Sequence, residues 1–126
     1  MDSLAGTIWR VIEVRGGDAA DGARQQLGPH PVGLVMFEAE RMVGVVTDGR
    51  DLLPPGEAPR FFVAYAGGYR FDGVELVVRV DGASRSELVV EQLRRLRFEG
   101  DRRMVAVPVA GLPAQAGIEV VWERVG

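Results

Sequence analysis

The chain contains eight short apolar stretches at the spacing of antiparallel hairpins, and tryptophans stand in the first and last of them, Trp9 and Trp122. Short strands separated by turn signals are typical of β-sandwiches and β-barrels. No stretch has room for the repeated crossover helices that a parallel sheet requires. If the terminal strands pair, both indoles gain large apolar partners and the sheet closes. We therefore predict an all-β fold, an eight-stranded antiparallel barrel with one short helix, formed as a single domain by residues 1–126.

Alternation of apolar and polar residues, together with turn signals, sets the strand boundaries. The predicted strands are 7–15, 32–38, 42–47, 68–71, 74–80, 88–98, 104–109 and 118–125. Asp72-Gly73 and Asp81-Gly82 are dipeptides typical of tight hairpin turns. Three prolines lie between residues 51 and 59, where they exclude a central strand, and an aromatic run follows at 60–65. We expect residues 51–65 to hold the short helix and to cover one mouth of the barrel.

Composition excludes several classes of function. The formal net charge of −3 disfavours a general nucleic-acid binder, which needs surplus cations to displace phosphate counterions. The chain has no cysteine, which excludes disulfides and thiolate chemistry, and all its basic residues are arginine, which excludes a lysine Schiff base. The start shows no signal peptide, and no segment approaches the about 20 apolar residues that span a bilayer. The sequence predicts a soluble cytoplasmic protein without nucleic-acid or membrane partners.

Four groups of residues, in order along nearly the whole chain, resemble the bacterial lipocalin-like domain family. They are Gly6-Thr7-Ile8-Trp9-Arg10, Tyr65-Ala66-Gly67-Gly68-Tyr69, Glu91-Gln92-Leu93-Arg94 with Phe98-Glu99-Gly100-Asp101, and Trp122-Glu123-Arg124. The family counterparts are an opening Gly-Thr-Trp-Arg, which here has Ile8 inserted, a central Tyr-Ala-Gly-x-Tyr, a Glu-Gln-x-Arg strand with a Gly-Asp turn, and a closing Trp-Glu-Arg. The resemblance implies an eight-stranded barrel with a small-molecule cavity. Where the family often has histidine this chain has Arg79, so histidine chemistry is not implied.

Metal and nucleophilic chemistry find little support in the sequence. The sole histidine, His30, lies between two prolines in a predicted loop, and a metal site needs several converging ligands. The three serines do not stand in a nucleophile-elbow pattern, and phosphate-loop and dinucleotide glycine patterns are absent. We predict no metal and no cofactor.

Polar side chains inside otherwise apolar strands are the candidate site residues. Strand alternation places Glu13 on the face of Trp9, and Gln92 with Arg94 on the face of Leu96. Buried charges are costly unless they are paired, so such groups suit a cavity wall, although each could instead face water. The tyrosines and tryptophans could bind a ligand or simply pack. The predicted ligand-binding residues are Trp9, Glu13, Tyr65, Tyr69, Arg79, Gln92, Arg94 and Trp122.

Three functional hypotheses follow. The first is a lipocalin-like barrel that binds a small hydrophobic or aromatic metabolite, with Arg94, Tyr69 and Gln92 fixing its polar end. The second is a cofactor-independent cyclase or isomerase that folds a polyketide-like metabolite, with Glu13, Tyr69 or Arg94 handling protons or charge. The third is a solid barrel whose outer face pairs with a partner, and a homodimer is compatible with all three.

Overall fold

The structure is a computed structural model that describes residues 3–16, 30–50, 60, 62–110 and 118–126. These residues form eight strands and one short 3₁₀ turn. In chain order they are β1 (Ile8–Gly16), β2 (Val32–Phe37), β3 (Arg41–Thr47), β4 (Phe62–Phe71), β5 (Glu75–Ala83), the 3₁₀ turn (Ser86–Leu88), β6 (Glu91–Phe98), β7 (Arg103–Ala110) and β8 (Ile118–Arg124).

The eight strands close into an antiparallel up-and-down barrel. Each strand pairs with the next along the chain, and β1 pairs with β8. Val11 lies opposite Trp122 in the closing ladder, and Trp9 lies opposite Arg124. The predicted fold class is confirmed, including the pairing of the terminal strands. Closure leaves no edge strand, because each of the eight strands has a ladder on both sides.

Three β-bulges interrupt the ladders of the described strands. They lie between Val11 and Glu13, between Ala66 and Gly67, and between Leu93 and Arg94. A bulge inserts one unpaired residue, so the side chains beyond it point to the opposite face from the one that simple alternation predicts. The extra residues are Ile12 on β1, Asp81 on β5 and Val109 on β7, so among the candidate site residues Glu13 alone follows an extra residue on its own strand.

Two local predictions differ from the structure. Residues 62–65, predicted as part of a helical turn, are the extended start of β4, while the helical turn lies at Ser86–Leu88. A short aromatic run has no period that distinguishes helix from strand, and here pairing with β3 decides. Residues 51–59 and 61, also assigned to the helix or lid, lie outside the described residues. Asp81-Gly82 does not turn the chain but continues β5 at a bulge.

None of the helices among the described residues is long and apolar enough to cross a membrane.

Candidate ligand site at one end of the barrel

The two ends of the barrel interior are packed differently. The end where the chain enters β1 is closed by Leu4 and Trp9, which are 1% and 0% exposed. The Trp9 indole Nε1 donates to Thr7 Oγ1 at 2.8 Å, and Phe98 lies between Trp9 and Phe71 with ring centroids 6.1 Å from each. Short turns at 38–40, 72–74 and 99–102 connect the strands here. This end is a packed core.

The other end of the barrel carries partly exposed side chains on its inner face. The cross-strand register places this group on the inner face of six strands. They are Val46, Val63, Tyr65, Ala83, Arg94, Pro108 and Val120. We call this group, with the buried Gln92, the mouth.

Three polar residues of the mouth form one connected unit. The Gln92 side chain is 1% exposed and donates from Nε2 to the Leu88 carbonyl oxygen at 3.0 Å. Its Oε1 accepts a hydrogen bond from Arg94 Nη2 at 2.8 Å. The Arg94 guanidinium also lies over the Tyr65 ring, 5.5 Å from its centroid, as a cation–π pair. The buried amide therefore holds the arginine head in place, and the tyrosine ring supports it from one side.

Space for the Tyr65 ring comes from a glycine on the neighbouring strand. Gly44 lies opposite Tyr65 in the β3–β4 ladder. A Cβ atom at this position would lie 3.1 Å from Cζ of the ring, closer than ordinary van der Waals contact. The absence of a side chain at Gly44 thus lets the ring lie flat against the sheet, where it remains available to Arg94.

Arg94 is not neutralised by an acid of the described chain. The ion pairs between described residues involve other arginines, and Arg94 is in none of them. A guanidinium has five N–H donors, and the contact with Gln92 uses one nitrogen. A partly buried cation with donors to spare in an apolar mouth suits a carboxylate, carbonyl or phenolate oxygen.

Three of the predicted site residues lie in the packed core. Trp9 and Trp122 are 0% and 6% exposed and pack within the main hydrophobic cluster. Tyr69 packs edge-on against Phe37 and donates its hydroxyl to the Glu38 carbonyl oxygen. Burial, with the charge of Glu38, raises the pKa of Tyr69, which keeps the phenol protonated. The Tyr69 hydroxyl therefore binds the backbone of the 38–40 turn, and the aromatic ring that contacts Arg94 is that of Tyr65.

Glu13 and Arg79 are on the outside, and the prediction that they line the wall is wrong. The bulge after Val11 turns Glu13 outward, where its side chain is 53% exposed and faces Arg15 at 3.6 Å. Arg79 is 80% exposed and lies 3.7 Å from Glu91. Gly68, its ladder partner, likewise belongs to the outer face. Of the eight predicted residues, the structure brings Tyr65, Gln92 and Arg94 together at the mouth.

The apolar lining of the mouth was missed by the sequence analysis. Val46, Ala83, Pro108 and Val120 carry no chemistry that a motif search could detect. Pro108 offered one signal, because proline inside a predicted central strand indicates a bulge, and Pro108 does lie at the bulge opposite Arg94.

Asp48, Arg50 and Arg60 form a hydrogen-bonded cluster at the end of β3, beside the mouth, which we call the clasp. The buried Asp48 carboxylate accepts from the Arg50 backbone N–H and from Arg50 Nε, both at 2.9 Å. Arg60 Nη1 donates to the Asp48 carbonyl oxygen at 2.9 Å and also to the carbonyl oxygen of Arg50. The hydrogen bonds from Arg50 outweigh desolvation, so the pKa of Asp48 lies below its ordinary value of 3.8. The clasp joins the two strands that carry Gly44 and Tyr65.

The lowered pKa of Asp48 predicts an acid-sensitive contribution to stability. A carboxylate whose folded pKa is depressed stabilises the fold fully above its unfolded pKa, and loses that contribution as the pH falls through the folded pKa. The pKa of Asp72 is also lowered, because its carboxylate accepts hydrogen bonds from the Glu75 and Val74 backbone N–H groups. We therefore expect Asp48→Asn to be less stable than wild type at pH 7, with the difference shrinking below pH 3.8. Urea titrations of wild type and Asp48→Asn across this pH range measure the difference in the free energy of unfolding. A difference independent of pH would contradict the assignment.

Comparison with known proteins does not assign a function to this chain, so its function is inferred from the geometry of the mouth. The described residues contain no group of three or more His, Cys, Asp or Glu side chains able to hold a metal ion. The chain matches no model of a protein family, and no curated protein or solved structure is significantly similar to it.

Proposed function

We propose that the barrel binds a small hydrophobic or aromatic molecule through its open mouth, with Arg94 fixing one electron-rich group of the ligand. The observation that carries the proposal is the Arg94 guanidinium, which no acid of the described residues pairs with, held between Gln92 and Tyr65 among inward-facing apolar side chains. Pockets of this kind combine apolar walls with a few placed polar groups. The ligand class is thus an aromatic or polycyclic compound with a carboxylate, phenolate or conjugated carbonyl oxygen.

Energetics favour an acidic group on the ligand. A partly buried arginine has lost some of its hydration, and a hydrogen bond to a charged partner contributes about 1.5–3 kcal/mol, against about 0.5–1.5 kcal/mol for a neutral pair. The Tyr65 ring supplies a flat apolar surface on which a planar ligand can stack. An anionic aromatic molecule satisfies the cation and the ring at once.

Binding is a better match to the mouth than proton-transfer catalysis. The enzymatic hypothesis relied on Glu13, Tyr69 and Arg94, and of these Arg94 alone lies at the mouth. A guanidinium stays protonated in proteins, so it orients and stabilises charge but does not transfer a proton. We therefore propose binding rather than a cyclase or isomerase activity. A lipocalin-like family membership and a cytoplasmic location complete the proposal.

The test compares two fluorescent probes that share an aromatic skeleton and differ in charge. Anilinonaphthalene sulfonate is anionic, whereas phenylnaphthylamine is its uncharged counterpart. We expect Arg94→Met to weaken binding of the anionic probe by about 10- to 100-fold, the equivalent of about 1.5–3 kcal/mol, and to change binding of the neutral probe little. Fluorescence titration gives both dissociation constants.

Arg79→Met is the matched control, because it removes an arginine from the outer face, where the side chain is 80% exposed. We expect this variant to bind both probes as wild type does. If wild type binds neither probe, the binding function is refuted. If Arg94→Met and Arg79→Met lose the anionic probe equally, the probe is held by general charge, and the role assigned to Arg94 is wrong.

A further inference from the structure

The outer face of strands β2, β3 and β4 carries six large apolar side chains that stay exposed. Each of the six is 40–57% exposed. They are Val32, Leu34, Met36, Val43, Val45 and Phe62, and we call them the outer patch. Scattered exposed apolar residues are normal on soluble proteins, whereas a contiguous group needs a reason.

The strand register shows that the outer patch is contiguous. Met36 lies opposite Val43, and Leu34 lies opposite Val45, in the β2–β3 ladder. Thr47 lies between Val32 and Phe62 across the two ladders. On β4, Ala66 and Ala64 lie opposite Val43 and Val45, so their small side chains extend the apolar surface of the outer patch.

Apolar residues on the opposite side of the barrel are buried, although they also point outward. Val105 and Val121, on β7 and β8, are both 0% exposed. Arg97 and Glu13 flank this pair in the ladders. The outer patch differs, since each of its six side chains is at least 40% exposed.

We propose that the outer patch binds a second copy of this chain, face to face, as a two-fold homodimer. Six side chains of this size and exposure present on the order of 500 Å² of apolar surface, the upper range for one patch on a monomer. With the partly exposed Thr47, Ala64, Ala66 and Ile8, the face reaches on the order of 600 Å², the lower end of what each partner contributes to a standard interface. A two-fold axis through the outer patch would bring the same residues of both copies together, which is the arrangement of an isologous interface.

The charges at the rim of the outer patch favour this occupant over a lipid surface. Arg10, beside Leu34, pairs with Glu123 at 2.9 Å, and Arg41 pairs with Asp81 at 2.8 Å. Two copies can therefore meet without burying an unpaired arginine, which would be costly. The turn beside the patch exposes Glu38 and Glu40, and the chain has a net charge of −3, so anionic lipid headgroups would repel it.

Sedimentation equilibrium of the full chain tests the proposal. We expect wild type to be a dimer at micromolar concentration, and Val43→Glu with Val45→Glu to be a monomer. Charges introduced at the centre of the patch would face each other across the two-fold axis. The matched control is Val74→Glu with Val109→Glu, which changes two valines that are 52% and 47% exposed elsewhere, and it should remain a dimer. Circular dichroism checks that each variant is folded.

A cysteine variant provides a second readout that does not depend on the glutamates. Because the chain has no cysteine, Val45→Cys carries a unique thiol, and a short bismaleimide should join two copies of it efficiently. Val109→Cys should not be joined. A wild type that is monomeric at 100 μM overturns the proposal, and so does a dimer in which Val109→Cys crosslinks and Val45→Cys does not. Wild-type monomer that sediments with vesicles of neutral phosphatidylcholine would assign the patch to a lipid surface instead.

Discussion

Replacing Trp9 by alanine should lower the free energy of unfolding by about 3–5 kcal/mol, the usual cost of deleting a fully buried large aromatic side chain. Trp9 is 0% exposed and packs in the core cluster that closes one end of the barrel. Its removal would open a cavity beneath Phe98, whose ring lies at 52° to the indole. The closing ladder between β1 and β8 limits how far the wall can collapse into that space.

Trp9→Phe separates packing from hydrogen bonding at the same position. This variant keeps an aromatic ring but loses the donor to Thr7 Oγ1, so we expect a loss of about 1–2 kcal/mol. Chemical denaturation with tryptophan fluorescence from the remaining Trp122 measures both variants. A Trp9→Ala variant within about 1 kcal/mol of wild type would show that the closed end is not a packed core.

Gly67→Ala should destabilise the protein by about 3 kcal/mol, at the upper end of the cost of overpacking. A Cβ at Gly67 would lie 2.2 Å from the carbonyl oxygen of Arg79 and 2.8 Å from Cα of Val80. Both atoms are backbone of the paired strand β5, so they cannot move aside as a side-chain end could. The register of this ladder shifts between Ala66 and Gly67, and a residue without a side chain is needed where the two backbones lie this close.

Two other glycines of the same strand pair provide controls. A Cβ at Gly68 would approach the Glu40 carbonyl oxygen no closer than 3.7 Å, and one at Gly82 would meet nothing within 4 Å. We expect Gly68→Ala and Gly82→Ala to stay within about 0.5 kcal/mol of wild type. Equal losses for all three variants would mean that general loss of strand flexibility, rather than the close approach at Gly67, causes the effect.

The outer patch and the mouth share strands but use opposite faces of them. Tyr65 points into the mouth from β4, while Phe62 and Ala64 belong to the outer face of the same strand. The alternation of side chains along a strand therefore lets one sheet serve a ligand inside and a partner outside. Probe binding and dimerisation are expected to fail independently, since Arg94 lies on β6, away from the outer patch.

The closed barrel could be predicted from the sequence because its signals are local. Hairpin spacing, alternating valines in β5 and turn residues such as Asp72-Gly73 specify antiparallel neighbours without knowledge of distant contacts. Trp9 and Trp122 indicated that the first and last strands meet, because both indoles need burial. Gln92 and Arg94 were placed correctly on the inner face with Leu96, since the extra residue of the bulge in the β6–β7 ladder, Val109, lies on β7 and β6 itself alternates regularly.

Tertiary structure decided what depends on pairing between strands. The bulge at Val11 and Glu13 is set by the register against β8, so the chain of β1 alone does not reveal that Glu13 faces outward. Likewise, residues 62–65 form part of a strand because they pair with β3. That Tyr65 rather than Tyr69 meets Arg94 follows from how the side chains of eight strands fill one interior. Local sequence determines which residues alternate, whereas packing across the barrel determines which of them meet.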